Sequence, residues 1–164
     1  MTILLVVLIL ATLLCSLVAG FVLLFAIVVM PGLATLPDRE FLRAFQVIDR
    51  VIQNNQPLFM LVWIGSAVTL LVAAGLGVWQ LEGINRMLFV VAAALYIVGV
   101  QLPTMAINLP LNNRVKTLRL ETLDETLLAS ERGHFESRWN RWNVIRSVAA
   151  ILSSVTLLTL VRII

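Results

Sequence analysis

No charged side chain precedes Asp38, and the chain is apolar from Thr2 to about Met30. A helix rises ~1.5 Å per residue, so roughly 20 residues cross the ~30 Å hydrocarbon core of a bilayer. The segment is longer than this, and it lacks the positive start and short apolar stretch of a signal peptide. We therefore predict a retained membrane span over residues 2–30 that tilts or projects beyond the bilayer, ended by Pro31 and Gly32.

Three further apolar segments are long enough to cross a membrane, at approximately 58–79, 87–108 and 142–164. Hydrophobic residues make up 60% of the chain and charged residues 13%, about half the ~25% usual for soluble domains. A tight turn at Glu82 and Gly83 predicts an antiparallel hairpin of spans two and three. The expected fold is all-α, a single integral membrane domain of four helices, with one polar loop at 110–141 that is partly helical.

The segment from Pro37 to Gln56 separates apolar from polar residues at helical spacing. Its apolar positions are Phe41, Leu42, Phe45, Ile48, Val51 and Ile52. Arginines and glutamines occupy the other side, a pattern typical of an amphipathic helix. We predict a helix between spans one and two that lies at the membrane surface or against the bundle.

Basic residues are distributed unevenly between the two sides of the predicted bundle. Nine lie in the two large loops: Arg39, Arg43, Arg50, Arg114, Lys116, Arg119, Arg132, Arg138 and Arg141. Only Arg86 and Arg162 lie on the other side. The positive-inside rule then predicts a cell-membrane protein with cytoplasmic loops and both termini outside. No basic helix or aromatic-basic module accompanies the charge, so nucleic acid is not an expected partner.

Arg146 is the most informative single residue. The uncharged stretch that follows it, from Ser147 to Val161, spans only roughly 22 Å of helix. Arg146 must therefore lie in the hydrocarbon core or at its edge. Two interpretations stay open, a side chain that extends to the interface and one that faces the bundle interior. In the second, the expected hydrogen-bond acceptors are Asp49, Asn108, Asn112 or backbone carbonyls at that end. The helical stripe of Arg146 also contains Trp139, Trp142, Asn143 and Ser153.

A second polar stripe lies on the third span, formed by Gln101, Thr104, Asn108 and Asn112. Amides in hydrocarbon need partners, so the stripe forms either interhelical hydrogen bonds or the polar end of an apolar pocket. In the amphipathic helix, Gln46 and Asp49 are the nearest candidate partners. Asp49 is open to three interpretations: a solvated charge, a partner of Arg146, or a base beneath a lipophilic substrate.

No combination of residues predicts a metal or haem site. His134 stands alone in a charged loop, and Cys15 is the only cysteine. A metal centre needs several such ligands. We therefore expect no metal and no haem.

Four short motifs carry a resemblance to a known family. They are Val29-Met30-Pro31-Gly32-Leu33, Phe45-Gln46-Val47-Ile48-Asp49-Arg50, Asn108-Leu109-Pro110-Leu111-Asn112-Asn113-Arg114 and Trp139-Asn140-Arg141-Trp142-Asn143-Val144-Ile145-Arg146. In this order they resemble the anthrone-oxygenase-like family of small four-span membrane proteins, most of which have no assigned function. If the spans are as drawn, all four motifs converge at one end of the bundle.

The resemblance implies a four-helix fold and, for a few relatives, oxidation of anthrones to anthraquinones without a recognised cofactor. It implies catalytic roles for Asp49 and Arg146, although relatives often carry asparagine at the position of Asp49. The implied substrate-binding residues are Gln46, Asn108, Asn112, Asn113, Trp139, Trp142 and Asn143. The expected partners are the lipid bilayer and a lipophilic aromatic small molecule.

The competing hypothesis is a non-enzymatic membrane scaffold, or an accessory subunit of a homo-oligomer or larger membrane complex. Its polar stripes would then serve only as interhelical hydrogen bonds. A cavity that touches both stripes favours the enzyme, and a filled interior favours the scaffold.

Overall fold

The computed structural model describes residues 2–164, and within them it is all-helical, with no strand. The five main helices are α1 (Thr2–Ala34), α2 (Asp38–Gln53), α3 (Pro57–Gln80), α4 (Gly83–Thr117) and α5 (Glu125–Ile163). All except α2 are long and apolar enough to cross a membrane. The predicted all-α bundle of four spans with a helix between spans one and two is confirmed. The prediction that Pro31 and Gly32 end the first helix is wrong, because α1 continues through them to Ala34.

The outer faces of the four long helices are apolar. Exposed side chains include Ile3, Leu71 and Val98, which are 72%, 63% and 61% exposed. Such a surface is unfavourable in water and suits hydrocarbon, where each helix satisfies its own backbone hydrogen bonds. The chain is therefore an integral membrane protein in contact with lipid.

The predicted polar loop at 110–141 is mostly helix, because α4 continues to Thr117 and α5 begins at Glu125. The helices run past the predicted spans because Val115, Leu128 and Phe135 are buried against α2, outside the membrane core. This second core lets both helices continue beyond the bilayer. A 3₁₀ turn at Leu120–Thr122 and its flanking residues connect α4 to α5.

Local sequence sets the start of α2, α3 and α5. Pro37 precedes α2, which has Asp38 in its first turn, where a negative charge favours the helix dipole. Pro57 is the first residue of α3, and Gln56 accepts a hydrogen bond from the backbone N–H of Phe59 at 2.5 Å. The side chain of Asp124 caps α5 in the same way, accepting from the N–H of Leu127 at 2.8 Å.

Helix α2 packs against one end of the bundle and buries Phe41, Leu42 and Phe45 there. Arg132 of α5 fixes the turn that precedes this helix. Its guanidinium donates to the carbonyl oxygens of Ala34 at 3.0 Å and Leu36 at 2.8 Å. It also pairs with the Asp38 carboxylate at 2.9 Å. Together these contacts hold α2 as a cap over the end of the four spans.

The spans pack unequally, and the difference creates space at the capped end. A Cβ atom on Gly99 of α4 would lie 2.5 Å from the Cβ of Ala149 in α5, so these two helices approach closely. Packing between α3 and α4 is concentrated in Gly83–Tyr96, the half of α4 nearest the hairpin. There the hydroxyls of Ser66 and Tyr96 lie 2.6 Å apart.

Candidate functional site: a polar-ended cavity

A cavity of about 390 Å³ lies at the capped end of the bundle, with all five helices contributing to its wall. Its polar lining comes from Asp49, Gln53, Asn55, Thr104, Asn108, Asn112, Asn143 and Arg146. Its apolar lining comes from Phe21, Val22, Phe25, Phe45, Ile52, Phe59, Met60, Trp63, Met105, Leu109 and Trp139. The volume lies within the ~300–1,000 Å³ range of small-molecule sites, and an apolar wall with a few polar groups is typical of them.

Two π-helical segments contribute to the lining of this cavity, Phe25–Val29 in α1 and Thr104–Asn108 in α4, and a third, Ile97–Gln101, lies earlier in α4. A π-helical turn adds a residue to the helical repeat and shifts the direction of the side chains that follow. In α4 the two segments flank Pro103, which has no backbone N–H for the regular ladder. They bring Thr104 and Asn108 to the same cavity.

Arg146 faces the interior and is only 5% exposed. Its guanidinium donates to the Oδ1 of Asn143 at 2.7 Å and to the Oγ1 of Thr104 at 3.0 Å. It also lies 5.6 Å from the centre of the Trp139 ring, within the range of a cation–π contact. No carboxylate within residues 2–164 forms a salt bridge with it, and its Nε has no hydrogen-bond partner there.

Of the two interpretations of Arg146, the interior-facing one describes this structure, but the partners are not those expected. Asp49, Asn108, Asn112 or backbone carbonyls were the anticipated acceptors. The observed ones are a neutral amide on its own helix and a hydroxyl that a π-helical segment presents. Arg146 is thus a buried cation without a neutralising charge, which is costly unless a ligand supplies negative charge.

Asp49 is 3% exposed and forms the second polar group of the cavity. One carboxylate oxygen accepts from the Asn112 amide at 2.8 Å, and the other accepts from the Gln53 amide at 2.5 Å. Burial raises the pKa of Asp49 above its ordinary value, and this outweighs the opposing effects of Asn112, Gln53 and the Lys116 charge. A carboxyl group with a raised pKa in an apolar cavity is a suitable proton acceptor near neutral pH.

Trp139 connects the two halves of the site. Its indole N–H donates to the Asn112 Oδ1 at 2.8 Å, while its ring lies beside the Arg146 guanidinium. The Asn108 amide is 3.4 Å from the Trp139 carbonyl oxygen, and its own Oδ1 has no partner within the described chain. The site thus offers an unpaired acceptor on Asn108 and an unpaired donor on Arg146.

Aromatic rings form the apolar walls. Phe59 stacks on Phe21 at 5.4 Å and on Trp63 at 5.5 Å between ring centres. On the other side, Trp139 lies 5.7 Å from both Phe25 and Phe45. Flat rings on both sides suit a planar aromatic ligand.

The structure brings together six of the nine predicted site residues: Asp49, Asn108, Asn112, Trp139, Asn143 and Arg146 line one cavity. The other three lie outside its lining. Gln46 donates to the carbonyl oxygens of Val115 and Leu118 at 2.8 and 3.1 Å, which ties α2 to the end of α4. Asn113 is exposed, and Trp142 is half-buried.

Sequence reasoning missed several cavity residues. Gln53 was recognisable as the i+4 neighbour of Asp49 on α2. The aromatic residues Phe21, Phe59 and Trp63 gave no such indication, because aromatic side chains on an apolar span resemble ordinary lipid-facing residues. The four motifs do converge at the capped end, where Met30, Phe45 and Trp139 share one buried cluster.

Comparison with protein-family models matches residues 50–156 to the family described as anthrone oxygenase. The chain belongs to the anthrone oxygenase family. No curated protein and no solved structure gave a match. The matched residues cover α3, α4 and most of α5, and so include Asn108, Trp139 and Arg146. Asp49 lies one residue outside it.

The residues described offer no evident metal site. Within residues 2–164, no three histidine, cysteine or acidic side chains lie close enough together to hold a metal ion. The expectation that this anthrone oxygenase homologue needs no cofactor stays a prediction.

Proposed function

We propose that this protein is an oxygenase that oxidises a lipophilic, anthrone-type aromatic molecule without a metal or organic cofactor. One observation carries the proposal: the aromatic cavity contains both a carboxyl group with a raised pKa and a buried arginine without a counter-ion. Removal of a proton from carbon and stabilisation of the resulting oxyanion need these two groups.

The reaction consumes one molecule of oxygen and releases one of water. Asp49 takes a proton from the methylene carbon of the anthrone, and the electron pair delocalises onto the ring carbonyl oxygen. The carbanion carbon then bonds to molecular oxygen, which is reduced to a peroxide and protonated to a hydroperoxide. Loss of water, with cleavage of the O–O bond and departure of the second methylene hydrogen as a proton, gives the anthraquinone.

Arg146 is the group best able to stabilise the developing oxyanion, because its Nε–H is unpaired and its charge is not neutralised. Asn143 and Thr104 accept from the guanidinium and act as positioning residues. Asn112 already donates to Asp49 and accepts from Trp139, so it holds the base in place. The free Oδ1 of Asn108 is an acceptor for a hydroxyl group on the substrate.

The experiment is an assay of the detergent-purified protein with anthrone in air-saturated buffer. We expect anthraquinone to form and oxygen to be consumed in a 1:1 ratio, at a rate well above that of protein-free micelles. Micelles alone are the necessary control, since anthrones oxidise slowly in air. A rate equal to that background contradicts the proposal, and a rate abolished by EDTA contradicts the cofactor-free part.

A scaffold or accessory subunit would need no cavity, and the space between the polar stripes is therefore what favours an enzyme. Native mass spectrometry of the purified protein distinguishes the two. An enzyme of this kind should retain a small lipophile, whereas a scaffold should appear as the bare chain or with partner subunits. Assembly into an oligomer or larger complex stays a prediction from sequence.

We also propose that the capped end of the bundle faces the cytoplasm, so that both termini lie outside the cell membrane. The excess of arginine and lysine at that end supports this orientation. Reporter fusions at Ile164 and beside Leu123 test it, with activity expected from an externally active reporter only at Ile164. A cytoplasmic C-terminus would show that the orientation is reversed.

A further inference from the structure

The cavity wall includes residues that also face the surrounding lipid. Met105 lines the cavity and is 69% exposed, and Leu109, one turn further along α4, is 42% exposed. Residues that touch both the cavity and the outer surface mark the place where the cavity opens. On the facing helix, Met60 and Trp63 of α3 line the same space.

This opening lies between α3 and α4, because packing between the two helices is concentrated in Gly83–Tyr96. Beyond Tyr96 the cavity separates them. The two methionines at this place suit an opening, since their unbranched side chains can adopt several rotamers at little cost. The π-helical segment Thr104–Asn108 forms the α4 side of the opening.

The depth of the opening decides what can pass through it. Met105 lies ~13 Å along α4 from Arg114, the first charged residue of that end of the helix. The third span is predicted to end at about Asn108, three residues beyond Met105, so Met105 lies in the last turn of the span at the capped end. The opening is therefore at the depth of the lipid chains that lie nearest the headgroups.

We propose that planar aromatic ligands dissolved in the bilayer reach the cavity laterally, through the opening between α3 and α4 at Met60 and Met105. A hydrophobic ligand then exchanges directly between hydrocarbon and cavity and never crosses water. The competing route is aqueous, since the cavity also reaches Asn55, an exposed residue of the α2–α3 turn. The inference concerns access alone and does not depend on the oxidation chemistry.

A reporter thiol inside the cavity tests the route without a substrate. Val22 lines the cavity and is 4% exposed, so Val22→Cys is reached mainly through the cavity. Cys15→Ala removes the one native thiol. The protein is reconstituted in phosphatidylcholine vesicles and treated with N-pyrenylmaleimide, which partitions into the bilayer and becomes fluorescent on reaction with a thiol.

We expect labelling from the bilayer, and we expect Met105→Trp to slow it at least about tenfold by filling the opening. Met87→Trp is the matched control, because Met87 is an exposed methionine at the other end of α4 and lies outside the cavity lining. The labelling rate of the Met87→Trp variant should stay within about twofold of the rate measured with both methionines in place. If Met105→Trp does not fold, Leu109→Trp is the second substitution that should fill the opening.

Three results would overturn the proposal. Absence of labelling in the Val22→Cys protein with its native Met105 means that the cavity is closed to the bilayer. An unchanged labelling rate in folded Met105→Trp or Leu109→Trp means that the ligand enters elsewhere. Faster labelling by a water-soluble maleimide that carries a sulfonate group than by the pyrene maleimide means that the aqueous route at Asn55 dominates.

Discussion

Replacement of Arg146 by leucine is expected to lower anthrone turnover by at least ~100-fold, the usual cost of losing one oxyanion donor. Its effect on stability should be small. The guanidinium has no acidic partner and pays a desolvation cost of several kcal/mol. Two hydrogen bonds to neutral groups and one cation–π contact offset that cost only in part. Turnover and melting temperature of the variant in detergent are the measurements.

Two matched variants make the result specific. Arg162→Leu removes an exposed arginine from the other end of the same helix and should change neither quantity. Arg132→Leu removes two ion pairs and two hydrogen bonds to carbonyl groups, so it should lower the melting temperature more than Arg146→Leu does. If Arg146→Leu kept full turnover, the arginine would be an interior packing residue and not part of a catalytic site.

Asp49→Asn is expected to lower turnover by about 10²–10⁴-fold, the usual contribution of a general base. Because burial raises the pKa of Asp49, the wild-type rate should rise with pH through a midpoint above the ordinary value of ~4. The variant should lose this pH dependence once the background oxidation of anthrone has been subtracted. Glu82→Gln, an exposed acid at the hairpin end, is the control and should leave the profile unchanged.

The same raised pKa predicts the effect of pH on stability. A carboxyl group whose pKa is higher in the folded than in the unfolded protein favours folding while it is protonated. This contribution is complete below the unfolded pKa and is lost as the pH rises through the folded pKa. Asp49→Asn should therefore melt at a higher temperature than wild type at pH 7, with the difference disappearing below about pH 4.

Full turnover in Asp49→Asn would rule out the base role. That outcome would agree with the asparagine that often occupies this position in relatives, and the proton would then pass to another acceptor. The Arg146→Leu result would still test the oxyanion role in that case, because stabilisation of the oxyanion does not depend on which group takes the proton. The two variants thus test the two halves of the site separately.

Hydropathy by itself determined the four spans and the depth of Arg146 along its helix, but not whether its side chain faces the interior. Each of these depends on a single helix: a run of apolar residues must be about as long as the hydrocarbon core is thick. The amphipathic spacing of Phe41, Leu42 and Phe45 determined α2 in the same local way. The family motifs contain all six predicted site residues that line the cavity, since three motifs lie near the ends of spans at the capped end and the fourth lies in α2, which covers that end.

The partners of those residues were decided only by the tertiary structure. Arg146 bonds to Thr104 because a π-helical segment turns that hydroxyl toward it, and composition gives no sign of such a change in the helical repeat. Asp49 pairs with Asn112 because α2 folds back over the end of α4. The cavity likewise exists because α3 and α4 make few contacts with each other, and these lie in the half of α4 nearest the hairpin. Hydropathy fixes how each helix sits in the bilayer, whereas the space between helices depends on side-chain packing between residues far apart in the chain.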